Sequence, residues 1–358
     1  STRLCGSADL FATEPGRGAP ASINFVSCHD GFTLTDLTRY RSKHNEANGE
    51  NNNDGSSVNH SANFGVEGVT DDPDVIAARE QAAMNMIGML LLSLGTPMML
   101  AGDEFRNTQD GNNNAYCQDN DITWLKWDWM YSTNKTREMR RLETVSRLVA
   151  LRKSLDLYHH EDFFTRLTQI GLLKPSSRVQ WFLPDGTTPM ERDWFDLGVR
   201  SFTMRLLSNS EVDVCIVVNG TADDRTFRLP PDTHWTPKWC SAEINGRRAG
   251  HGTQVEECDL NGDTTVWTQH VPDASETVLK MVEEVAMQRT ESSTENEADT
   301  IKFAMPVTDH AANGTSSVPR DEVSADMPDA PVDDTPDTPV DDNVWTMPAL
   351  SITLMKQV

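Results

Sequence analysis

Ser22-Ile-Asn-Phe-Val-Ser-Cys28 and Pro97-Met-Met-Leu-Ala-Gly102 are the two stretches on which the fold turns. The first is a short apolar run, β-branched and aromatic, bounded by Gly and Pro, and it predicts a buried strand. The second is continuously apolar, as suits a strand covered on both faces in a parallel sheet. Between them Asp71 or Asp72 can N-cap a helix that opens at Pro73. Ala77 to Leu94 continue it in strong helix formers until Gly95-Thr-Pro97 stops it. Strand, helix and strand of this length imply one right-handed βαβ crossover.

A second polar loop, Asp103 to about Asn134, leads to a helix near Arg137 to Ser154, where Leu142, Val145, Leu148, Val149 and Leu151 mark one face. Two βα units cannot close a barrel, which needs eight strands to bury its interior and remove its edges. The missing strands are expected upstream of Ser1, where the chain opens without a methionine. From about Gln180 the texture changes to short strands: Ser201 to Leu207, Val212 to Val218 and Thr226 to Leu229, separated by turn residues such as Asn219-Gly220. These predict an antiparallel sandwich. From about Glu283 to Asn343 the chain is rich in Asp, Glu, Pro, Ser and Thr, a composition that cannot repay the cost of ordering. Val344 to Met355 turns strand-like again, so the acidic stretch reads as an insertion ahead of a returning strand.

The whole chain has 358 residues and a formal net charge of -24. That charge repels nucleic acid phosphates and anionic lipid headgroups, so neither nucleic acid nor membrane is an expected partner, and a neutral one such as carbohydrate suits it better. The longest apolar stretch, Ala82 to Leu94, is too short for the roughly 30 Å hydrocarbon core of a bilayer and reads as a buried helix. No basic and apolar leader occupies residues 1–20. Six cysteines without a C-x-x-C pair suggest neither zinc nor a disulfide framework, and a reducing cytoplasm is the expected location. Asp259-Leu-Asn-Gly-Asp263 resembles the start of a calcium loop, but Thr264 and His270 stand where that loop needs glycine and glutamate. No metal and no cofactor are expected.

The two polar loops carry the candidate chemistry. The first opens with His29-Asp30-Gly31 and the second with Asp103-Glu104-Phe105, at strand C-termini, where barrels keep their active sites. Asp103 and Glu104 are sequential and point to opposite sides of a strand, so the bland alternative for the pair is hydrogen bonding to loop amides. His44-Asn-Glu-Ala-Asn-Gly-Glu-Asn-Asn-Asn-Asp-Gly55 and Gly111-Asn-Asn-Asn-Ala-Tyr-Cys-Gln-Asp-Asn120 are crowded with side-chain amides. These offer donors and acceptors that match sugar hydroxyls, or they merely supply turns. Asn45, Asn48, Asn113 and Tyr116 are accordingly candidate substrate-binding residues. Trp124, Trp127 and Trp129 are either platforms for pyranose faces or core.

Ile23-Asn-Phe-Val-Ser-Cys-His-Asp-Gly-Phe-Thr-Leu34 resembles the strand-seven motif of the α-amylase superfamily, glycoside hydrolase family 13. With His44 to Asn51, Gly65-Val-Glu-Gly-Val-Thr-Asp-Asp72, Gly95 to Phe105 and Gly111 to Asn120, the likeness narrows to bacterial glycogen-debranching enzymes and isoamylases. It runs nearly unbroken over residues 1–155 and fades beyond them. One departure is that debranching enzymes usually have a tryptophan and a cysteine just before Gly65, where this chain has Ala62 and Phe64.

The resemblance implies a fold of α/β plus all-β class. Residues 1–158 would be the last two βα units of a (β/α)8 TIM barrel, strands seven and eight with their helices. An antiparallel β-sandwich would follow in 159–282, an acidic disordered insertion in 283–343 and a returning strand in 344–358. It implies that His29 contacts the sugar at the cleavage subsite and that Asp30 stabilises the transition state. The nucleophile and the acid/base carboxyl would lie upstream, outside this chain. The implied activity is retaining hydrolysis of α-1,6 branch linkages in glycogen or limit dextrin, with the chain alone inactive. The competing expectation is a non-catalytic glucan-binding or interaction protein on the same fold.

Overall fold

The computed structural model describes residues 2–159 except 13 and 15, residues 179–257 except 209–211, 232–233 and 252–255, and residues 343–357 except 350. The acidic insertion expected up to residue 343, all but Asn343, lies outside the described residues, as do Cys258 and Asp259 to Asp263.

A short helix α1 (Ala8–Phe11) precedes β1 (Ile23–Asn24), and the turn after β1 ends in α2 (Leu34–Leu37). The long helix α3 (Pro73–Leu92) begins where the sequence sets its cap: the Asp72 carboxylate accepts from the amides of Asp74 and Val75, and Pro73 takes the first position. Beyond it β2 (Thr96–Pro97) lies parallel to β1, with Ile23 opposite Thr96 and Asn24 opposite Pro97. Gly95 makes the approach possible: its φ is 110°, and a Cβ there would stand 2.7 Å from the Ser22 carbonyl oxygen.

The parallel strand pair and its crossover helix are as expected, but each strand is two residues long rather than six or seven. Among the described residues each has only the other as a ladder partner, and the backbone beyond turns away, at Gly102 through a φ of 99°. Just beyond the pair, Val26 and Met99 pack on the core that includes α3. The face with Ile23 (60% exposed), Phe25 and Met98 is open.

Helix α4 (Arg137–Ser154) is N-capped by Thr136, whose hydroxyl accepts from the Met139 amide. Buried Val145 and Leu148 confirm its expected face, but Arg141, fully buried, shares it. Its guanidinium donates to Glu80 of α3 at 2.8 and 3.2 Å and to the Thr35 hydroxyl at 3.2 Å. Arg106 meets the other Glu80 oxygen at 2.9 Å. Burial pushes the Glu80 carboxyl up, and the Arg141 and Arg106 guanidinium groups outweigh it, holding the group below the usual range.

The remaining elements are extended: β3 (Val179–Phe182), β4 (Ser201–Leu206), β5 (Val214–Asn219), β6 (Arg225–Arg228), β7 (Trp235–Cys240), β8 (Arg247–Arg248), β9 (Gly250–His251), β10 (Glu256–Glu257), β11 (Val344–Met347) and β12 (Ser351–Gln357). Five form an antiparallel sheet in the order β3-β4-β5-β12-β7, three a sheet in the order β6-β11-β9, and β8 pairs with β10. Alternation splits β5 between two cores. Val214 and Ile216 join Met204, Leu206, Ile352 and Leu354 against Ala83, Met84, Ile87 and Leu91 of α3. Cys215 and Val217 join Phe227, Trp345, Met347 and Met355 between the two sheets. Both faces of the five-stranded sheet are therefore covered, which is why β5 reads as an uninterrupted apolar run although it is antiparallel. At the closest point Gly88 of α3 lies under Trp239, and a Cβ there would stand 2.9 Å from the indole ring.

Helix α3 is long and apolar enough in composition to cross a membrane. Here it is a core helix, with Ala83, Met84 and Ile87 buried and Arg79 and Glu80 buried beside them. Residues 1–274 and 340–358 make one compact unit.

Strand β12 lies between β5 and β7, and β11 between β6 and β9, so the last segment is central to both sheets. Removing residues 344–358 would expose the partners of Trp345, Met347, Ile352, Leu354 and Met355, each worth about 1.5–3 kcal/mol of burial. The sum, on the order of 10 kcal/mol, matches the whole net stability of a domain. The truncated chain should show no cooperative thermal transition in a circular-dichroism melt. A transition kept within about 5 °C of the full chain would contradict this packing.

Candidate functional site

The chain leaves β1 through Ser27, whose hydroxyl donates to the buried Asp103 carboxylate. The second Asp103 oxygen accepts from the Leu34 amide at 2.9 Å, at the start of α2. Asp103 thus lashes together the two ends of the turn that carries His29 and Asp30. Burial pushes its carboxyl above the usual range, against the opposing hydrogen bonds from Ser27 and Leu34 and the charge of Arg141. Glu104 accepts from the Gly102 amide at 2.9 Å. The bland reading of this acidic pair as loop fasteners is the one the geometry supports.

The turn itself is presented to solvent. His29 and Asp30 are 88% and 79% exposed in their side chains, with His29 Nε2 3.6 Å from Asp30 Oδ2. Gly31 follows at φ 89° and donates its amide to the Asn113 carbonyl at 3.0 Å. That bond carries the first polar loop to the second.

The amide-rich loops meet as two interlocked combs. Asn45 Nδ2 donates to Asn113 Oδ1 at 2.9 Å, and the Asn113 amide donates to Asn45 Oδ1 at 3.0 Å. Asn113 Nδ2 donates to the Ser56 carbonyl at 2.7 Å and to Asn59 Oδ1 at 2.5 Å. Asn48 Nδ2 donates to Asp54 at 2.7 Å and to the Asn114 carbonyl at 2.9 Å, while its oxygen accepts from Asn112 at 2.7 Å. Asn114 also donates to Asp54 at 2.9 Å. The Asn48 and Asn114 amides hold the Asp54 carboxyl below the usual range. Asp36, wholly buried in α2, accepts from the Thr108 hydroxyl and the Gln109 amide and anchors the start of the second loop.

The sequence candidates thereby separate. His29 and Asp30 are open, and Tyr116 is 77% exposed at the tip of the second loop. Asn45 and Asn113 are buried at 0% and 3%, and both side-chain donors of each are engaged within the protein. Asn48 is half-buried with its amide likewise engaged. These asparagines bind each other's loops because each amide carries two donors and an acceptor in fixed directions. Trp127 and Trp129 pack on Phe105 with ring centroids at 4.6 and 5.3 Å, and Trp124 stands 55% exposed with its indole N–H on Asp119.

Glu67 is a residue that sequence reasoning left without a role. Its carboxylate accepts from the amides of Arg41 and Ser42, from Asn63 and from His44 Nε2 at 3.1 Å. The only signal for it was its place inside the Gly65 to Asp72 phrase. Among the described residues no cluster of three or more His, Cys, Asp or Glu could hold a metal ion.

No family model matches the chain. Its sequence relatives are bacterial glycogen debranching enzymes and proteins named for the glycogen operon, so the class the motifs imply is the class to which it is related. The glycogen operon protein GlgX homolog of Mycobacterium tuberculosis is 44% identical over 205 residues, 56% of this chain and 28% of that protein. The glycogen debranching enzyme of Pectobacterium atrosepticum is 37% identical over 260 residues, 72% of this chain and 36% of that protein. The chain thus spans about a third of the length of these relatives. Among solved structures, a pullulanase from Bacillus acidopullulyticus covers 66% of this chain and 22% of its own length at 17% identity and a TM-score of 0.40. A pullulanase from Anoxybacillus sp. LM18-11 solved with maltotriose covers 72% of this chain and 27% of its own length at 17% identity and 0.42. Both matches are too loose to define the fold.

Burial raises the Glu67 carboxyl, but its hydrogen bonds outweigh that and lower it from 4.5 to about 2. A group depressed in the folded state contributes stability above its unfolded value and loses it as the pH falls through the folded one. Glu67→Gln should therefore be less stable than the parent at pH 7, with the gap closing as the pH falls from about 4.5 towards about 2. Urea titrations at pH 7, 4 and 3 would read this. A gap independent of pH would rule out the charge as its source.

Proposed function

We propose that this chain supplies part of the catalytic site of a retaining α-1,6-glucosidase that debranches glycogen or limit dextrin. Its first 158 residues would be strands seven and eight of a TIM barrel and the sheets beyond them a β-sandwich. The observation that carries this is the coincidence of two facts. The exposed pair His29 and Asp30 lies in the turn that follows the parallel strand β1, and the stretch that contains it, Ile23 to Leu34, resembles the strand-seven motif of the α-amylase superfamily. The open apolar face of Ile23, Phe25 and Met98 is what a barrel interior awaiting its remaining strands would present.

In this reading Asp30 places a negative charge against the positive charge that develops on the sugar ring, and His29 orients the sugar. Retaining hydrolysis also needs a nucleophile and an acid/base carboxyl about 5–5.5 Å apart across the scissile bond, and this chain would not supply them. The substrate is a neutral glucan, in keeping with an acidic protein. The place of action is a reducing cytoplasm, in keeping with six cysteines spread along the sequence without a C-x-x-C pair.

The purified chain should release no linear chains from limit dextrin, and yet retain glucan in affinity electrophoresis, less so as His29→Ala. In an active enzyme containing this chain, Asp30→Asn should lower kcat by about 100-fold to 1,000-fold with KM little changed, because the lost charge matches the transition state rather than the neutral substrate. Branch cleavage by the purified chain, abolished by Asp30→Asn, would overturn the division of labour. A raised KM at constant kcat would remove Asp30 from its role.

A further inference from the structure

We propose that Asn45 and Asn113 are a positioning pair that fixes the Asp30 turn from behind, rather than residues that touch the glucan. The inference rests on the reading of Asp30 given above. The Asp30 side chain is 79% exposed, and the His29 ring stands 3.6 Å from its carboxylate. Charge stabilisation of a transition state demands a group held in advance of the reaction, because reorganising it costs the energy it would contribute. The side chain of Asp30 is not held, so the backbone must be.

The turn is held by its neighbour Gly31, which donates to the Asn113 carbonyl at 3.0 Å. That carbonyl belongs to the peptide unit joining Asn113 and Asn114. The N–H of the same unit donates to Asn112 Oδ1 at 3.0 Å, and Asn112 is in turn bonded to Asn48 at 2.7 Å. The preceding N–H, that of Asn113, donates to Asn45 Oδ1 at 3.0 Å. The Asn113 side chain then reaches Asn45, Ser56 and Asn59. The acceptor for Gly31 is thus clamped on both sides by side-chain amides, and the Asn45–Asn113 pair is the buried centre of the clamp. Neither member presents a free donor to solvent, which is the opposite of what a sugar ligand needs.

Gly55 gives an independent handle. Its φ is 74°, and a Cβ there would stand 2.3 Å from Asn113 Oδ1 and 2.6 Å from Asn45 Nδ2. Gly55→Ala would force the pair apart while removing no polar group, so it cannot act by deleting a sugar contact.

The experiment measures amide hydrogen exchange at Gly31 and maltoheptaose binding for the whole chain and three variants: Asn113→Ala, Gly55→Ala and, as a control, Asn53→Ala. Asn53 sits in the same loop, exposed, and donates only to Glu50. Asn113→Ala and Gly55→Ala should each speed Gly31 exchange about tenfold and weaken binding about tenfold, with exchange in β4 and β5 unchanged, while Asn53→Ala alters neither. Unchanged Gly31 exchange in both variants would overturn the proposal. So would weakened binding in Asn113→Ala with Gly31 exchange intact, which would make Asn113 a direct contact. Should the unaltered chain fail to bind maltoheptaose, the glucan reading falls, and the exchange at Gly31 still decides whether the pair holds the turn.

Discussion

The buried contact between Asn45 and Asn113 is the constraint on which the site depends. The amide-rich stretches His44 to Gly55 and Gly111 to Asn120 hold few apolar residues and cannot be ordered by burial, and loops longer than about 12–15 residues without structure of their own are uncommon in compact domains. Directional hydrogen bonds must do the work, each worth about 1 kcal/mol net when made and more when a buried partner is left without one. Side-chain amides suit this because one residue bridges three groups. Once the two loops are fastened, the second offers the Asn113 carbonyl to Gly31, and the turn of His29 and Asp30 acquires a place.

Beneath the loops a second polar device fixes the frame. Glu80 of α3 joins Arg141 of α4 and Arg106 of the second loop in a buried cluster that also reaches Thr35 of α2. Burying such charges is costly, and the cluster stands because each charge has a partner, so loss of Arg141, which would leave Glu80 with Arg106 alone, breaks a buried pair at a cost of about 3–5 kcal/mol. Helix α3 then rests on the five-stranded sheet through apolar contacts, with Gly88 allowing it to close on Trp239, and α4 packs beside α3 in the same core. Beneath the open turn lie two packed helices and a sheet covered on both faces.

Much of this was legible in the residues. Asp72 with Pro73, the apolar face of Arg137 to Ser154, and the runs at Ser201 and Val214 announce their elements because caps and periodicity act locally. The lengths of β1 and β2 were not legible, because a parallel strand extends only as far as its neighbours do. Nor could the sequence separate open amides from engaged ones. Asn45 and Asn113 look like Asn51 and Asn53, and only the pairing of two distant loops decides which are buried. Arg141 was invisible for a similar reason: a charge on the apolar face of a helix makes sense only once Glu80, contributed by another helix, is opposite it.

The central claim is that glucan is met at the loops that follow β1 and β2. It is tested most directly by titrating the isotopically labelled chain with maltoheptaose and mapping amide chemical shifts. The account predicts changes that cluster at His29, Asp30, Gly31 and the segment from Gly111 to Tyr116, and leave β3 to β12 undisturbed. Changes confined to the two sheets, or none at saturating sugar, would contradict it.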